Sequence, residues 1–540
     1  MSTERRPELT FPRVIIDRDD AATMRDGTVL HADIVRPDTT IPCPVLLCRT
    51  PYGKQSALIS PFLDAVSAAA AGYLVVLQDV RGRGRSEGEW QPFVNEFDDG
   101  ADTVAWAAEI AGSDGHVGMF GASYLGFTQW AAATRQPAAL RAIVPALTWS
   151  DARNGLIERG GTPETGLTCY LEHFGFAPGA PDPDIIDSLA EDATYSSERV
   201  SSLASSDAAT CSIPLDSHDP ATTIPALNIA GWYDTFLAGT IDHYQRSRTA
   251  AESSAGAASR LIVGPWSHIN FTSVSGTHSF GERAAFTHLA GADMSRLIVD
   301  WFDHWLRDRP YTHPWLAGSS MTAFDMGTNR WAAHDSWPPS PSRMTTWAID
   351  AAGVLRPASD VATCHGPHTV IGEPVPSWPG GAVHMHPSRP AGVIDQRTRL
   401  RRDGELQFTR PTLVDDVVFA GPVAVQFRAT GADRSIDVVA RLSVIHGDGF
   451  ERNITDGVKR VEPGDGGDHI VDLWSTYITI KRRQCLRLTI SANGWPRWGV
   501  PRVDSPTVTI DHVTLEVTEF ANHEHRPSGR SVTWGRSTNA

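Results

Sequence analysis

The chain has 540 residues, a formal net charge of −16, 41% hydrophobic and 20% charged residues, which is the balance of a globular protein of about three domains. It has no long Lys/Arg run that would mark a nucleic-acid surface, and no window of about 18 apolar residues that would span a membrane. The N-terminal stretch MSTERRPELTFPRVIIDRDD lacks an apolar secretory core, so a cytoplasmic protein with neither nucleic-acid nor membrane partner is expected.

In chain order, Val29–Val35, Pro44–Cys48, Leu74–Gln78, Val117–Phe120, Ala142–Pro145, Ala226–Ala230 and Leu261–Val263 read as short strands. Their apolar residues run continuously rather than alternating, which suits strands buried on both faces. Ala65–Ala71, Asp99–Ala111, Tyr124–Thr134 and Met294–Leu306 read as the helices between them. Strands alternating with helices predict an α/β fold with a largely parallel sheet. The rhythm breaks between about Trp149 and Thr223, a Gly-, Pro-, Ser- and Asp-rich stretch with short helical runs such as Asp184–Glu191, which reads as an insertion. SWPPSPS (Ser336–Ser342) reads as a linker. Beyond it, Val417–Phe419, Val423–Ala429, Ile436–Ile445, His469–Leu473, Leu486–Ser491 and Thr507–Val517 predict an all-β sandwich or jelly roll. The six cysteines (Cys43, Cys48, Cys169, Cys211, Cys364 and Cys485) show no C-x-x-C or metal spacing and are expected to be reduced, buried thiols.

The chemistry centres on GMFGASYLGF (Gly118–Phe127). Ser123 lies between a predicted strand and a predicted helix, the context of a nucleophile elbow, although the second glycine of G-x-S-x-G arrives one place late, at Gly126. A helix N-terminus there aims backbone N–H groups at developing negative charge. A serine needs a base, and His268 follows the strand Leu261–Val263, while Asp234 follows Ala226–Ala230. The order Ser, Asp, His is that of α/β-hydrolases, with the Asp fixing the imidazole tautomer. Each residue alone has a plain structural reading, His268 as a loop histidine and Asp234 as a helix cap. The glycine-rich QDVRGRGRSEGEW (Gln78–Trp90) lacks phosphate-loop spacing and reads as a structural loop in which Asp79, Arg81 and Arg83 form ion pairs.

These residues resemble those of a known family. MRDGTVLHADIVRPD (Met24–Asp38), RTPYGK (Arg49–Lys54), QDVRGRGRSEGEW, GASYLGFTQW (Gly121–Trp130), GWYDTF (Gly231–Phe236) and GPWSH (Gly264–His268) resemble the cocaine esterase branch of the X-Pro dipeptidyl-peptidase-like serine hydrolases. NITDG (Asn453–Gly457) and LRLTISANGWPRWG (Leu486–Gly499) extend the resemblance into the tail. It implies an α/β-hydrolase core (1–148 and 223–340), an inserted helical cap (149–222) and a C-terminal jelly roll (341–540). It also implies the triad Ser123, Asp234 and His268, with an oxyanion hole built from the Tyr52 hydroxyl and the Tyr124 N–H. No metal or organic cofactor is implied.

The resemblance further implies Phe236 as an acyl-pocket wall, with Trp232 beside it, Leu156 and Ile157 from the cap, and the loop Val383–Met385 from the jelly roll. In the α-amino acid ester hydrolase branch a cluster of acidic residues holds the substrate ammonium, whereas here Thr235, Phe236 and Leu237 follow Asp234 and none is acidic. The expected substrate is a small-molecule ester or amide with a compact acyl group. The sequence leaves hydrolysis, acyl transfer to another acceptor and X-Pro dipeptidyl-peptidase activity open, and sets a jelly-roll sugar binder well behind them. It also leaves open whether the chain forms a homo-oligomer.

Overall fold

The computed structural model describes residues 13–164, 166, 223–249, 258–289, 293–372, 380–382, 391–398 and 404–521, apart from positions 58, 60, 363, 365, 493, 495, 496 and 499–504. A ten-stranded sheet runs in the order Val14–Thr23, Val29–Pro37, Leu74–Asp79, Cys43–Thr50, Ser113–Ala122, Leu140–Ala146, Leu227–Tyr233, Arg260–Ser267, Met321–Asp325 and Arg330–His334. The pairings from Leu74–Asp79 through Met321–Asp325 are all parallel. Every residue of Cys43–Thr50 and of Leu227–Tyr233 is buried, as continuous apolar runs require.

Three strands of this sheet were not expected, and all lie towards its edges. Val14–Thr23 pairs antiparallel with Val29–Pro37, and Met321–Asp325 forms an antiparallel pair with Arg330–His334. Edge strands carry charges that read as loop in a sequence, here the run DRDD (Asp17–Asp20). Helices Ala65–Ala70, Glu96–Glu109, Tyr124–Thr134 and Met294–Arg307 stand where the pattern placed them, and Leu237–Thr249 adds another. Tyr124–Thr134 is buried from Tyr124 through Ala133, so it shows no polar face.

The C-terminal part is a sandwich of two antiparallel sheets. One contains Leu355–Pro357, Ser342–Ile349, Thr507–Phe520, Val417–Ala432 and Gly467–Ile480, with His368–Ile371 also on Thr507–Phe520. The other contains Leu406–Thr409, Cys485–Ala492, Ile436–Ile445 and Glu451–Val461. A single apolar core joins Val425, Leu515 and Val471 of the first sheet to Val438, Leu442 and Leu488 of the second, and continues into Ala230, Trp232 and Leu237 of the α/β part. The sandwich is therefore packed directly on the strand and helix that flank Asp234.

Within the stretch read as an inserted cap, the described residues form a turn at Ala152–Leu156 and a hairpin of Glu158–Arg159 with Thr162–Pro163. The predicted helix Asp184–Glu191 and the rest of residues 167–222 lie outside the described residues, as do Val383–Met385, Cys169 and Cys211. Cys43 and Cys48 are buried free thiols, but Cys364 is exposed and Cys485 half-buried, which corrects the expectation of uniformly buried thiols. No helix among the described residues is long and apolar enough to cross a membrane.

Candidate active site

Because the central strands are parallel, their carboxyl ends open onto one edge of the sheet, where α/β folds build sites. Ser123 leaves the strand Ser113–Ala122 at that edge with φ 60° and ψ −122°, a conformation a serine adopts only when its surroundings enforce it. Its N–H donates to the Ala146 carbonyl at 2.9 Å, and its own carbonyl accepts from Gly126 and Phe127 N–H at 2.9 and 3.0 Å, which starts the helix. Gly121 has φ +139°, and a Cβ there would sit 2.5 Å from Leu125 Cβ. Buried Gln129 stitches the turn to its neighbours. Its Nε2 donates to Gly121 O and Leu125 O at 3.0 and 2.9 Å, and its Oε1 accepts from Val144 N at 2.9 Å.

The late glycine has its own reason. A Cβ on Gly126 would lie 2.8 Å from Thr148 Cβ and 3.0 Å from Ala146 O. Glycine is needed where the helix presses on the chain leaving the next strand, and in this turn that point is one residue later than in G-x-S-x-G.

His268 and Asp234 leave the adjacent strands Arg260–Ser267 and Leu227–Tyr233 at the same edge. His268 Nε2 lies 3.0 Å from Ser123 Oγ, and its Nδ1 lies 2.7 Å from Asp234 Oδ1. Asp234 is fully buried, and the His268 side chain is 9% exposed. Asp234 thus spends its carboxylate on His268 and not on capping the helix that follows. The Phe236 ring meets the His268 ring edge-on at 5.1 Å.

The side chain of Tyr124 is anchored away from this chain of hydrogen bonds. Its hydroxyl donates to Glu96 Oε1 at 2.7 Å and accepts from Phe93 N–H at 3.0 Å, while Glu96 Oε2 pairs with buried Arg49 at 2.7 Å. Burial pushes the Tyr124 phenol well above its ordinary value, so it stays protonated and donating. Burial also raises Glu96, against the pull of Arg49. Tyr52 follows the strand Cys43–Thr50, and its N–H donates to Thr50 Oγ1 at 3.1 Å. Two cations fix its loop. Lys54 Nζ reaches Asp19 at 2.8 Å and Asp79 at 3.1 Å, and Arg83 Nε donates to Pro51 O at 2.9 Å. Of the loop residues expected to pair, Arg81 binds Asp99 at 2.6 Å and Asp26 at 2.7 Å, and Arg83 lies over the Trp90 ring.

A pocket opens over Ser123, lined among the described residues by Tyr52, Phe93, Tyr124, Trp149, Leu156 and Phe236, together with Gly155, Glu164, Gly166 and Thr235. Phe236 and Leu156 therefore stand where they were expected. Ile157 does not: it packs against the apolar core, and its carbonyl accepts from Glu164 N–H at 2.9 Å. Trp232 is also corrected. It points to the sandwich side, where its indole N–H donates to Phe324 O at 2.8 Å and its ring meets Trp337 at 5.5 Å. Alternation within the strand fits this: Ala230, two residues before Trp232, lies in the same core cluster as Trp232, whereas Leu227 and Ile229 lie in the other. Met385 lies outside the described residues. Sequence reasoning passed over Phe93, Trp149 and Glu164. Trp149 follows the exit of Leu140–Ala146, and that position was its one available signal.

Residues 26–270 match the family model described as X-Pro dipeptidyl-peptidase (S15 family), and residues 315–527 match the X-Pro dipeptidyl-peptidase C-terminal non-catalytic domain. The chain belongs to the X-Pro dipeptidyl-peptidase-like serine hydrolases. Within that family it is 28% identical over 531 residues to the cocaine esterase of Rhodococcus sp. (strain MB1 Bresler), covering 88% of this chain and 90% of the relative. A similar fold is found in an α-amino acid ester hydrolase, with a TM-score of 0.76 at 20% identity over 95% of this chain and 98% of that one. A CocE/NonD family hydrolase from Staphylococcus aureus shares it with a TM-score of 0.67 at 17% identity over 94% of each chain. As an S15-type chain, the protein is a serine hydrolase whose core carries a C-terminal all-β domain.

Proposed function

We propose that the chain cleaves a small-molecule ester or amide through an acyl-enzyme on Ser123. The observation that carries this reading is the unbroken line from Ser123 Oγ through His268 to Asp234, at 3.0 and 2.7 Å, beginning on a residue held at φ 60°. Ser123 attacks the carbonyl carbon, and His268 Nε2 accepts the hydroxyl proton. Asp234, buried on Nδ1, keeps the proton-accepting nitrogen facing Ser123 and stabilises the imidazolium that forms. The carbonyl oxygen gains negative charge at the start of the helix Tyr124–Thr134, where the Tyr124 N–H and the Tyr52 hydroxyl supply its donors. His268 then returns the proton to the leaving group, and water, activated by the same imidazole, releases the acid. Phe236, Trp149 and Leu156 bound a compact, largely apolar acyl site.

A fluorophosphonate probe should label Ser123, and Ser123→Ala should lower cleavage of p-nitrophenyl esters and amides by about 10⁴-fold or more. A folded protein left unlabelled, or activity that survives in Ser123→Ala, would reject the mechanism. The ratio of ester to amide turnover assigns the reaction type.

A further inference from the structure

The chamber over Ser123 is apolar except at two buried side chains that the proposed mechanism does not use. Thr235 is 2% exposed, and its Oγ1 has no hydrogen-bond partner among the described residues. Glu164 is likewise 2% exposed. Its contacts, from Trp498 Nε1 at 2.8 Å and Arg497 Nη2 at 3.5 Å, both fall on Oε1. No contact from the described residues falls on Oε2. A buried hydroxyl without a partner costs about 1–3 kcal/mol, so a place for its partner is expected in whatever fills the chamber.

The charges behind Glu164 decide what kind of partner that is. Arg497 also binds Asp456 at 2.9 Å, and Arg441 binds the same carboxylate at 2.6 Å. Arg159 lies 3.6 Å over the Trp474 ring, with Nε and Nη1 unpartnered among the described residues and Nη2 donating to Asp472 O at 2.7 Å. Among the described residues, three buried arginines thus face two buried carboxylates, Glu164 and Asp456. Burial first, then Arg497, lowers Arg159 to about 9, against the pull of Asp472, Glu164 and Asp456. A substrate ammonium entering here would meet a net positive cluster.

We infer that Glu164 and Thr235 form a polar subsite for an uncharged hydroxyl or amide N–H on the acyl group, and that the subsite discriminates against an ammonium. This inference rests on the serine-hydrolase reading and names its substrate class: compact acyl groups bearing one neutral hydrogen-bonding group.

The test compares p-nitrophenyl esters of phenylacetic acid, mandelic acid, 4-hydroxyphenylacetic acid and phenylglycine, each kcat/KM divided by the ester's own hydroxide-catalysed rate. One of the two hydroxylated esters is expected to exceed phenylacetate by about tenfold or more, and phenylglycine to fall below it. In Thr235→Val, which keeps the shape and loses the hydroxyl, the hydroxyl preference should fall towards one. Glu164→Gln, which still accepts from Trp498, should weaken it as well. Equal rates for hydroxylated and plain esters, a preference for phenylglycine, or a preference unchanged in Thr235→Val would each overturn the subsite while leaving Ser123 catalysis standing. Absence of ester cleavage together with an unlabelled Ser123 would overturn the hydrolase reading, and the subsite with it.

Discussion

Replacing Gly126 with alanine should disturb stability and turnover together. Alanine in place of a helical glycine ordinarily gains about 0.5–1 kcal/mol. Here the new Cβ would lie 2.8 Å from Thr148 Cβ and 3.0 Å from Ala146 O, inside the usual contact distance of about 3.5–4.0 Å. Thr148 cannot yield easily, because its N–H and carbonyl both bond Thr240 Oγ1, at 3.2 and 3.0 Å. Overpacking of this kind costs about 1–3 kcal/mol, so a net loss of roughly 1–2 kcal/mol is expected, read as a Tm lower by several degrees. The Ala146 carbonyl that is pushed is also the acceptor for Ser123 N–H at 2.9 Å, so the displacement passes to the nucleophile. A misplacement approaching 1 Å costs about 10²-fold, and kcat should drop by about 10–100-fold with KM little changed. Thermal melts and steady-state kinetics, with Gly366→Ala as a control where a Cβ meets nothing within 4 Å, measure both effects. A Gly126→Ala protein with wild-type Tm and kcat would refute the reasoning.

Tyr52→Phe should cost about 10²–10³ in kcat with a smaller effect on KM, and an unchanged kcat would remove Tyr52 from the oxyanion hole. Arg497→Met should destabilise by about 3–5 kcal/mol, since it strips a partner from buried Asp456 and Glu164. Arg343→Met, whose pair with Glu519 leaves Arg343 74% exposed, should change stability by under about 1 kcal/mol, and chemical denaturation compares the two. Burial first, then Arg452 and His446, hold His278 at about 4 against its ordinary 6.5. A histidine lowered on folding binds its proton more readily when unfolded, so its stabilisation is complete above pH 6.5 and is lost as pH falls towards 4. The melting temperature of His278→Gln should therefore decline less than wild type across that window, and parallel declines would exclude the assignment.

The sheet interior was legible because its strands are buried on both faces and spell that burial in unbroken apolar runs. Ser123, Asp234 and His268 were legible because each follows such a run. The strand Glu451–Val461 was not, because ERNITDGVKRV sets charge where a buried strand ordinarily sets apolar groups. Those charges are matched by Arg487 on Glu451 and by Arg441 and Arg497 on Asp456. No local pattern announces partners so far along the chain. Val417–Phe419 and Val423–Ala429 were read as two strands, and they are one, with its register shifted between Pro422 and Ala424. Trp232 misled for a simpler cause: an aromatic two residues before Asp234 looks like pocket, but Asp234 lies beyond the strand's end, and Trp232 shares the face of Ala230 and packs with it in the core of the sandwich. Glu164 had no signal at all, since what makes it part of the chamber wall is Trp498.

That link, joining residues 334 positions apart, has a consequence for how the protein is born. Ribosomes add about 5–20 residues per second, so Trp498 emerges roughly 15–70 s after Glu164. From the emergence of His268 onward, Ser123, Asp234 and His268 are all present on the nascent chain while the wall behind the acyl site is missing. Stalled chains ending before Arg497 should react with a fluorophosphonate at Ser123 yet lack the acyl selectivity of the released protein. Nucleophile and specificity would then mature at different moments of a single synthesis, the second only when translation is nearly over.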